Sequence, residues 1–383
     1  MLAILLHLTL FTCFLDSNDS GLAIPFFPSF QDQSRAVIEG RVTDNEGVPL
    51  GFATVFIANS TLGCITDTSG LFRLDSVPYG QHVLVISFVG YETFKKDLVV
   101  STERIEQNAR LRPSQIELTG VEVVERKGKN KWQSNFRKFE TYFLGITANA
   151  SDCEILNPEV LRFHYDQSTR TLRAFANAIL LIENRALGYR IHYVLELFEL
   201  RNDGTSSYLG KEQFEPIEPN SRSEKEKWDR FRKEAYFGSF RHFLSSLADN
   251  TLDREGFLVT GSNSMIPYAS LQQALPTSEA NISIDQQYMI SAGSRDYERL
   301  LRFRTTYLHI RYMNESEIRQ GMGYQKSIDR IQPYQESWIR LLSLGVVFHT
   351  DGYLYNPLTV MVYGYWSKEK IADALPLDYF PEN

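Results

Sequence analysis

Seven histidines stand at positions 7, 82, 164, 192, 242, 309 and 349, and none is spaced to hold zinc beside a general base. A zinc peptidase needs two imidazoles one helical turn apart with a carboxylate between them, and neither His-Glu-x-x-His nor His-x-x-Glu occurs. His164-Tyr165-Asp166 and His349-Thr350-Asp351 each place an imidazole and a carboxylate on one face of a strand. Each is a half-site at best, and surface pairing explains both. No Gly-x-Ser-x-Gly elbow is present to expose a nucleophile. Ser367-Lys368-Glu369-Lys370 fits Ser-x-x-Lys without the partner motifs of penicillin-binding enzymes, and Gly321-Met322-Gly323 lacks the third glycine of a dinucleotide loop. No Walker loop occurs.

The densest polar grouping pairs Arg241-His242 with Glu183-Asn184-Arg185. If the helix carrying the first pair packs over the loop carrying the second, the five side chains form a polar site. The alternative is structural pairing within each element. Tyr363, Tyr365 and Trp366 offer rings that stack on sugars or pack a core. No catalytic residue, metal ligand, cofactor-binding residue or cofactor follows from these patterns. They favour binding over catalysis and leave a hydrolase acting on cell-wall or glycan material as the alternative.

The elements that must position these residues belong to a chain of 383 residues, enough for two or three cores. Apolar residues make up 43% and charged ones 23%, as in globular proteins, and 13% are aromatic, which suits strands. The net charge of −7 weighs against nucleic acid as a partner. Met1–Leu15 is almost wholly apolar and too short for a membrane span, so residues 1–23 are expected to be a signal peptide, although no Lys or Arg precedes the run. A buried helix is the other reading. Leu10-Phe11-Thr12-Cys13 fits a lipoprotein box poorly. Cys64 and Cys153 are expected as free thiols, with pairing in an oxidising compartment as the alternative.

From Val37 the pattern is strand and turn. Ile38, Gly40 and Val42 alternate with Glu39, Arg41 and Thr43, and Ala53, Val55 and Ile57 alternate in the next strand. Asp44-Asn45-Glu46-Gly47 and Asp67-Thr68-Ser69-Gly70 are turns of one kind. Their aspartates lack the dense spacing of a calcium loop and are expected to cap backbone amides. Val83–Val89 is a near-continuous apolar run, as for a central strand covered on both faces. These features predict an antiparallel sandwich over residues 36–124.

With Gly40, Val42, Asp44, Gly47, Pro49, Leu50, Ala53, Val55, Thr66, Asp67, Gly70, Phe72, Pro78, Gly80, Val89, Gly90 and Tyr91 in place, this quarter of the chain resembles the carboxypeptidase-like regulatory domain, a transthyretin-like sandwich. The resemblance implies a cell-envelope setting of the Bacteroidota type, periplasmic or at the outer membrane, where such modules front TonB-dependent receptors and other envelope proteins. It implies no peptidase activity, since the module carries no catalytic residues.

Residues 125–131, with Arg126, Lys127, Lys129 and Lys131, read as a basic linker that could also touch a membrane. Residues 132–383 read as an α+β domain with an antiparallel sheet. Trp132, Phe136, Phe139 and Phe143 start a helix; Ser223 and Glu226 cap a second helix running to Leu247, with a bend at Gly238-Ser239; Lys368–Leu375 forms a third. Four stretches here, beginning at Cys153, Ile182, Gly238 and Leu375, are similar to uncharacterised envelope proteins carrying the same sandwich. The expected protein is an exported, non-catalytic binding or scaffolding protein with an envelope protein or glycan partner.

Overall fold

Asp44 and Asp67 do the same local work in the computed structural model, which describes residues 35–114, 129–263, 282–316 and 333–381. The Asp44 carboxylate accepts the amides of Glu46 (2.9 Å) and Val48 (2.8 Å), and Asp67 accepts those of Ser69 (2.8 Å) and Leu71 (2.9 Å). Each aspartate closes its turn as a side-chain acceptor for backbone N–H groups. These two turns join the strands of a sandwich. One sheet holds β1 (Arg35–Thr43), β4 (Leu71–Pro78), β7 (Arg104–Glu106) and β8 (Ala109–Arg110); the other is ordered β3-β2-β5-β6, from β2 (Thr54–Ile57), β3 (Gly63–Ile65), β5 (Gly80–Ser87) and β6 (Phe94–Val100). Ile38, Val42, Val55, Ile57, Phe72, Leu74, Leu84 and Ile86 meet between the sheets. The sandwich is not wholly antiparallel, because β7 and β8 both run parallel to β1.

The rest of the described chain is also sheet-rich, with strands making up 44% of the described residues and helices few. Helix α1 (Lys129–Leu144) begins three residues before the expected Trp132, so Lys129 and Lys131 are helical rather than linker. Strand β13 (Tyr189–Arg201) is the spine of a six-stranded sheet with β9 (Cys153–Ile155), β10 (Leu161–Asp166), β11 (Thr171–Ala176), β12 (Leu180–Asn184) and β14 (Ser206–Pro216). Phe139 and Phe143 of α1 pack on it against Phe198 and Tyr193. A five-stranded sheet follows, ordered β16-β15-β19-β20-β22. Its strands are β15 (Phe257–Ser262), β16 (Ile282–Ser283), β19 (Tyr307–Tyr312), β20 (Gln335–Leu341) and β22 (Val360–Gly364). A small sheet holds β17 (Ile290–Ala292), β18 (Glu298–Leu301) and β21 (Val346–His349). Every pairing in these three sheets is antiparallel.

Two helix expectations need correcting. The helix predicted from Ser223 to Leu247 is two helices, α3 (Arg222–Tyr236) and α4 (Phe240–Ala248). Gly238, at φ +79°, stops the first, and Ser239 caps the second by accepting the amide of His242. The cap of α3 lies two residues earlier than expected: Ser221 accepts from the Glu224 amide, and Glu224 accepts from that of Asn220. Lys368–Leu375 is not an α-helix but an extended run with one 3-10 turn at Ile371–Asp373. The expected leader, Cys13, the strand at Val121–Val124, Arg126 and Lys127, and Gly321–Gly323 lie outside the described residues. Cys64 and Cys153 are free thiols.

The two strand systems meet. Phe56, Ala58 and Val85 turn away from the sandwich interior and are buried with Val83 and Val194 of β13. The loop after β2 joins β14 through the amides of Asn59 (to Glu212 O, 2.6 Å) and Phe214 (to Ser60 O, 2.9 Å). Strand β5 is therefore covered on both faces, which its apolar sequence demands. Among the described residues, no helix is long and apolar enough to cross a membrane.

Candidate functional site

The five polar residues singled out in the sequence do not form one site. Helix α3 does pack over the Arg185–Gly188 turn: Trp228 donates its indole N–H to Arg185 O (2.8 Å) and Arg232 donates to Leu187 O (2.7 Å). The break at Gly238 carries Arg241 and His242 onto α4, away from that turn. Glu183 pairs with Arg185 (2.8 Å) and Arg190 (3.3 Å), which hold its carboxyl below the ordinary glutamate range. Asn184 is buried, donating to Ala372 O and accepting the Leu187 amide. No hydrogen bond or ion pair links these three residues to Arg241 or His242. His242 sits buried among the rings of Tyr236, Phe237, Phe257 and Tyr312, and its Nδ1 accepts the Gly238 amide (3.1 Å). Burial pushes its pKa down to about 4 against the opposing pull of Glu255, so it is a neutral core histidine at pH 7. Arg241 spends its donors on backbone carbonyls of Asp351, Pro376, Leu377 and Tyr379. Tyr365 and Trp366 are buried core residues, not a sugar platform, while Tyr363 lies half-buried against Tyr307.

The residues that do converge were missed. A cleft of about 310 Å³ is lined by Asn149, Ser151, Asp152, Lys227, Glu369 and Asp373 among others. Asp373, in the 3-10 turn, accepts from Thr147 Oγ1 (2.8 Å) and Asn149 Nδ2 (2.9 Å) at the short helix α2 (Ala148–Ser151). Burial still lifts its pKa to about 6. Burial also raises Glu369 well above the carboxylate range, and the charges of Asp373 and Glu315 add to the shift. Behind them, burial pushes Glu212 up to about 7, and Lys370, over the Tyr208 ring at 5.6 Å, is pushed down. Carboxyls that keep protons near neutral pH, beside ones that do not, can donate and accept protons or hold a cationic group. The two segments stand more than 220 residues apart. Glu369 and Asp373 stand four apart in the run Lys368–Leu375, expected as a short helix, and no local signal marks them.

Asp373 should make stability fall as pH rises. Its folded pKa of about 6 exceeds the ordinary 3.8, so the folded state holds the proton longer. That contribution is whole below pH 3.8 and is lost between there and pH 6. With about 1.4 kcal/mol per pH unit, the loss is of the order of 2–3 kcal/mol. Urea denaturation of the wild type and Asp373→Asn at pH 4 and 6.5 checks this. The stability difference should move by that amount in favour of the variant at the higher pH, and a constant difference refutes it.

A second feature lies on the sandwich. Phe52 is 71% exposed and Ile65 63%, and Val48 and Leu71 are about half exposed. The loops that carry them interlock: Phe52 N donates to Thr66 O, and Val42 N donates to Gly70 O. Phe52 also holds φ +66°, a left-handed conformation costly for a side chain of its size.

Residues 38–123 match the CarboxypepD_reg-like domain, and this stretch carries that domain. No curated protein matches the chain. A mutant type II cohesin–X-dockerin complex from Acetivibrio cellulolyticus is 20% identical over 20% of this chain and 56% of that one, with a TM-score of 0.18. Catechol 1,2-dioxygenase from Pseudomonas arvilla C-1 is 14% identical over 23% of this chain and 55% of that one, with a TM-score of 0.19. BcpA, the major pilin subunit of Bacillus cereus, is 10% identical over 21% of this chain and 31% of that one, also at 0.19. The chain thus spans about half the length of the first two.

Proposed function

We propose that this is an exported, non-catalytic protein of the cell envelope that works by binding, and that the free end of its sandwich holds an envelope protein or glycan partner. The exposed Phe52 carries this reading. Phe52, Ile65, Val48 and Leu71 are exposed on or beside two loops that bond to each other, in a CarboxypepD_reg-like domain that has one outer sheet face already covered by the rest of the chain. An apolar cluster of this kind, edged by the acidic turns at Asp44 and Asp67, is what a docking surface offers. An aromatic kept exposed in a left-handed conformation does nothing for the fold.

Phe52→Gly separates docking from folding. Glycine adopts φ +66° freely, so stability should stay level or rise by about 1 kcal/mol. Crosslinking to the partner in intact cells should be lost. If the wild-type crosslinks persist in this variant, the apolar end is not the docking surface.

The cleft favours a second reading, a hydrolase acting on cell-wall or glycan material. Glu369 would be the proton donor, since its carboxyl resists ionisation, and Asp373 its ionised neighbour above pH 6. Purified protein incubated with cell-wall glycan should then release reducing ends, and Glu369→Gln should lower the rate at least a hundredfold. Release at the same rate by the variant, or none by the wild type, removes this reading.

A further inference from the structure

We propose that residues 376–379 form a latch that fastens the sandwich to the rest of the chain and can let it go. The segment is gripped on two sides. On one, Arg241 donates to the carbonyls of Pro376 (2.8 Å), Leu377 (2.8 Å) and Tyr379 (3.2 Å), with its guanidinium half-buried over the rings of Tyr236 and Phe380. On the other, the segment reaches the loop after β2. Leu377 N donates to Asn59 O (2.7 Å), and Thr61 donates its amide and its hydroxyl to the Asp378 carboxylate.

The two grips differ in strength. A guanidinium fork on three fixed carbonyls is a charge-assisted, geometrically matched contact. Asp378 is exposed and Thr61 half-buried, so water can replace their hydrogen bonds more cheaply than those of the Arg241 fork. The latch therefore stays with Arg241 when it opens, and the sandwich side releases. Among the described residues, further bonds across the joint are those of Asn59 and Phe214, beside the Ser60–Gln213 bridge, and the partly exposed Lys95–Glu196 pair (2.6 Å). An apolar patch around Phe56, Ala58 and Val85 meets Val194 there. Asn59, at φ +62°, takes a left-handed turn that asparagine tolerates, at the point where the latch and β14 both bind the loop. Opening uncovers the apolar outer face of β2 and β5, a surface the closed form hides.

Hydrogen exchange on the full chain, on Asp378→Ala and on a chain ending at Leu375 tests the latch. In both variants the amides of Asn59, Thr61 and Phe214, which bond across the joint, should exchange at least tenfold faster than in the wild type. Those of β1 and β4, and of β19 and β20, should keep their protection. A synthetic peptide of residues 375–381 added to the shortened chain should restore protection at Asn59 and Thr61. Unchanged exchange of those amides in Asp378→Ala and in the shortened chain overturns the proposal. So does a loss of protection in Asp378→Ala that spreads equally to β1, β4, β19 and β20. If the shortened chain unfolds outright because Arg241 has lost its acceptors, Asp378→Ala, which keeps all three carbonyls, decides alone.

Discussion

Replacing Arg241 by alanine should cost about 3–4 kcal/mol of folding stability, among the largest losses any single side chain here would cause. The guanidinium donates to four carbonyls, from Asp351, Pro376, Leu377 and Tyr379, at 2.8 to 3.2 Å. Its removal strands those acceptors and opens a gap between the rings of Tyr236 and Phe380. Burial lowers the Arg241 pKa, yet guanidinium starts so high that the group stays charged across the working range. Lysine keeps the charge but offers a point donor in place of a planar fork, so Arg241→Lys should recover less than half of the loss. Urea denaturation followed by tryptophan fluorescence measures both, since Trp228 and Trp366 are buried reporters. A loss below about 1 kcal/mol for the alanine variant would mean that the carbonyls find water without difficulty.

Gly238→Ala should be as damaging for a different reason. At φ +79° any side chain bears a backbone cost of about 1–2 kcal/mol. A Cβ there would also stand 2.5 Å from Gln335 Oε1 and 2.6 Å from the Tyr312 ring, both within the packed core. Overpacking of that kind adds about 1–3 kcal/mol, for a total of roughly 3–4 kcal/mol. Gly204 provides the control: φ is +83° and the nearest atom to a Cβ, the Tyr142 hydroxyl, is 3.7 Å away. Gly204→Ala should show the backbone cost alone, about 1–2 kcal/mol. Equal losses at the two positions would remove the packing argument. Because Gly238 N bonds His242 Nδ1 and Gly238 O accepts from the Trp366 indole (2.7 Å), the alanine variant should also shift tryptophan emission to the red.

These two positions also show what could be read from sequence and what could not. The sandwich was legible because its signals are local. Asp44 and Asp67 make their own turns with amides two and four residues on, and strand alternation fixes which side chains enter the core. The unbroken apolar run of β5 announced cover on both faces, though not that Val194 of β13 would supply it. The α3–α4 break was half legible. Gly238 was marked as a bend, but only its positive φ against the fixed Tyr312 ring turns a bend into a stop. That difference moved Arg241 and His242 away from the loop they were expected to meet. The cleft was illegible. Thr147 and Asn149 bind Asp373 across the whole second half of the chain, and one-dimensional spacing carries no trace of such a contact.

The outer face of β5 has a consequence for how the chain comes into being. The strands of the sandwich are complete at Arg110, but the strand whose Val194 covers Phe56 and Val85 ends at Arg201. At about 5–20 residues per second, the interval from Arg110 to Arg201 leaves the finished sandwich with an uncovered apolar sheet face for about 5–18 s of synthesis. A holding chaperone that recognises extended apolar surface would find its substrate in that interval and lose it once β13 docks.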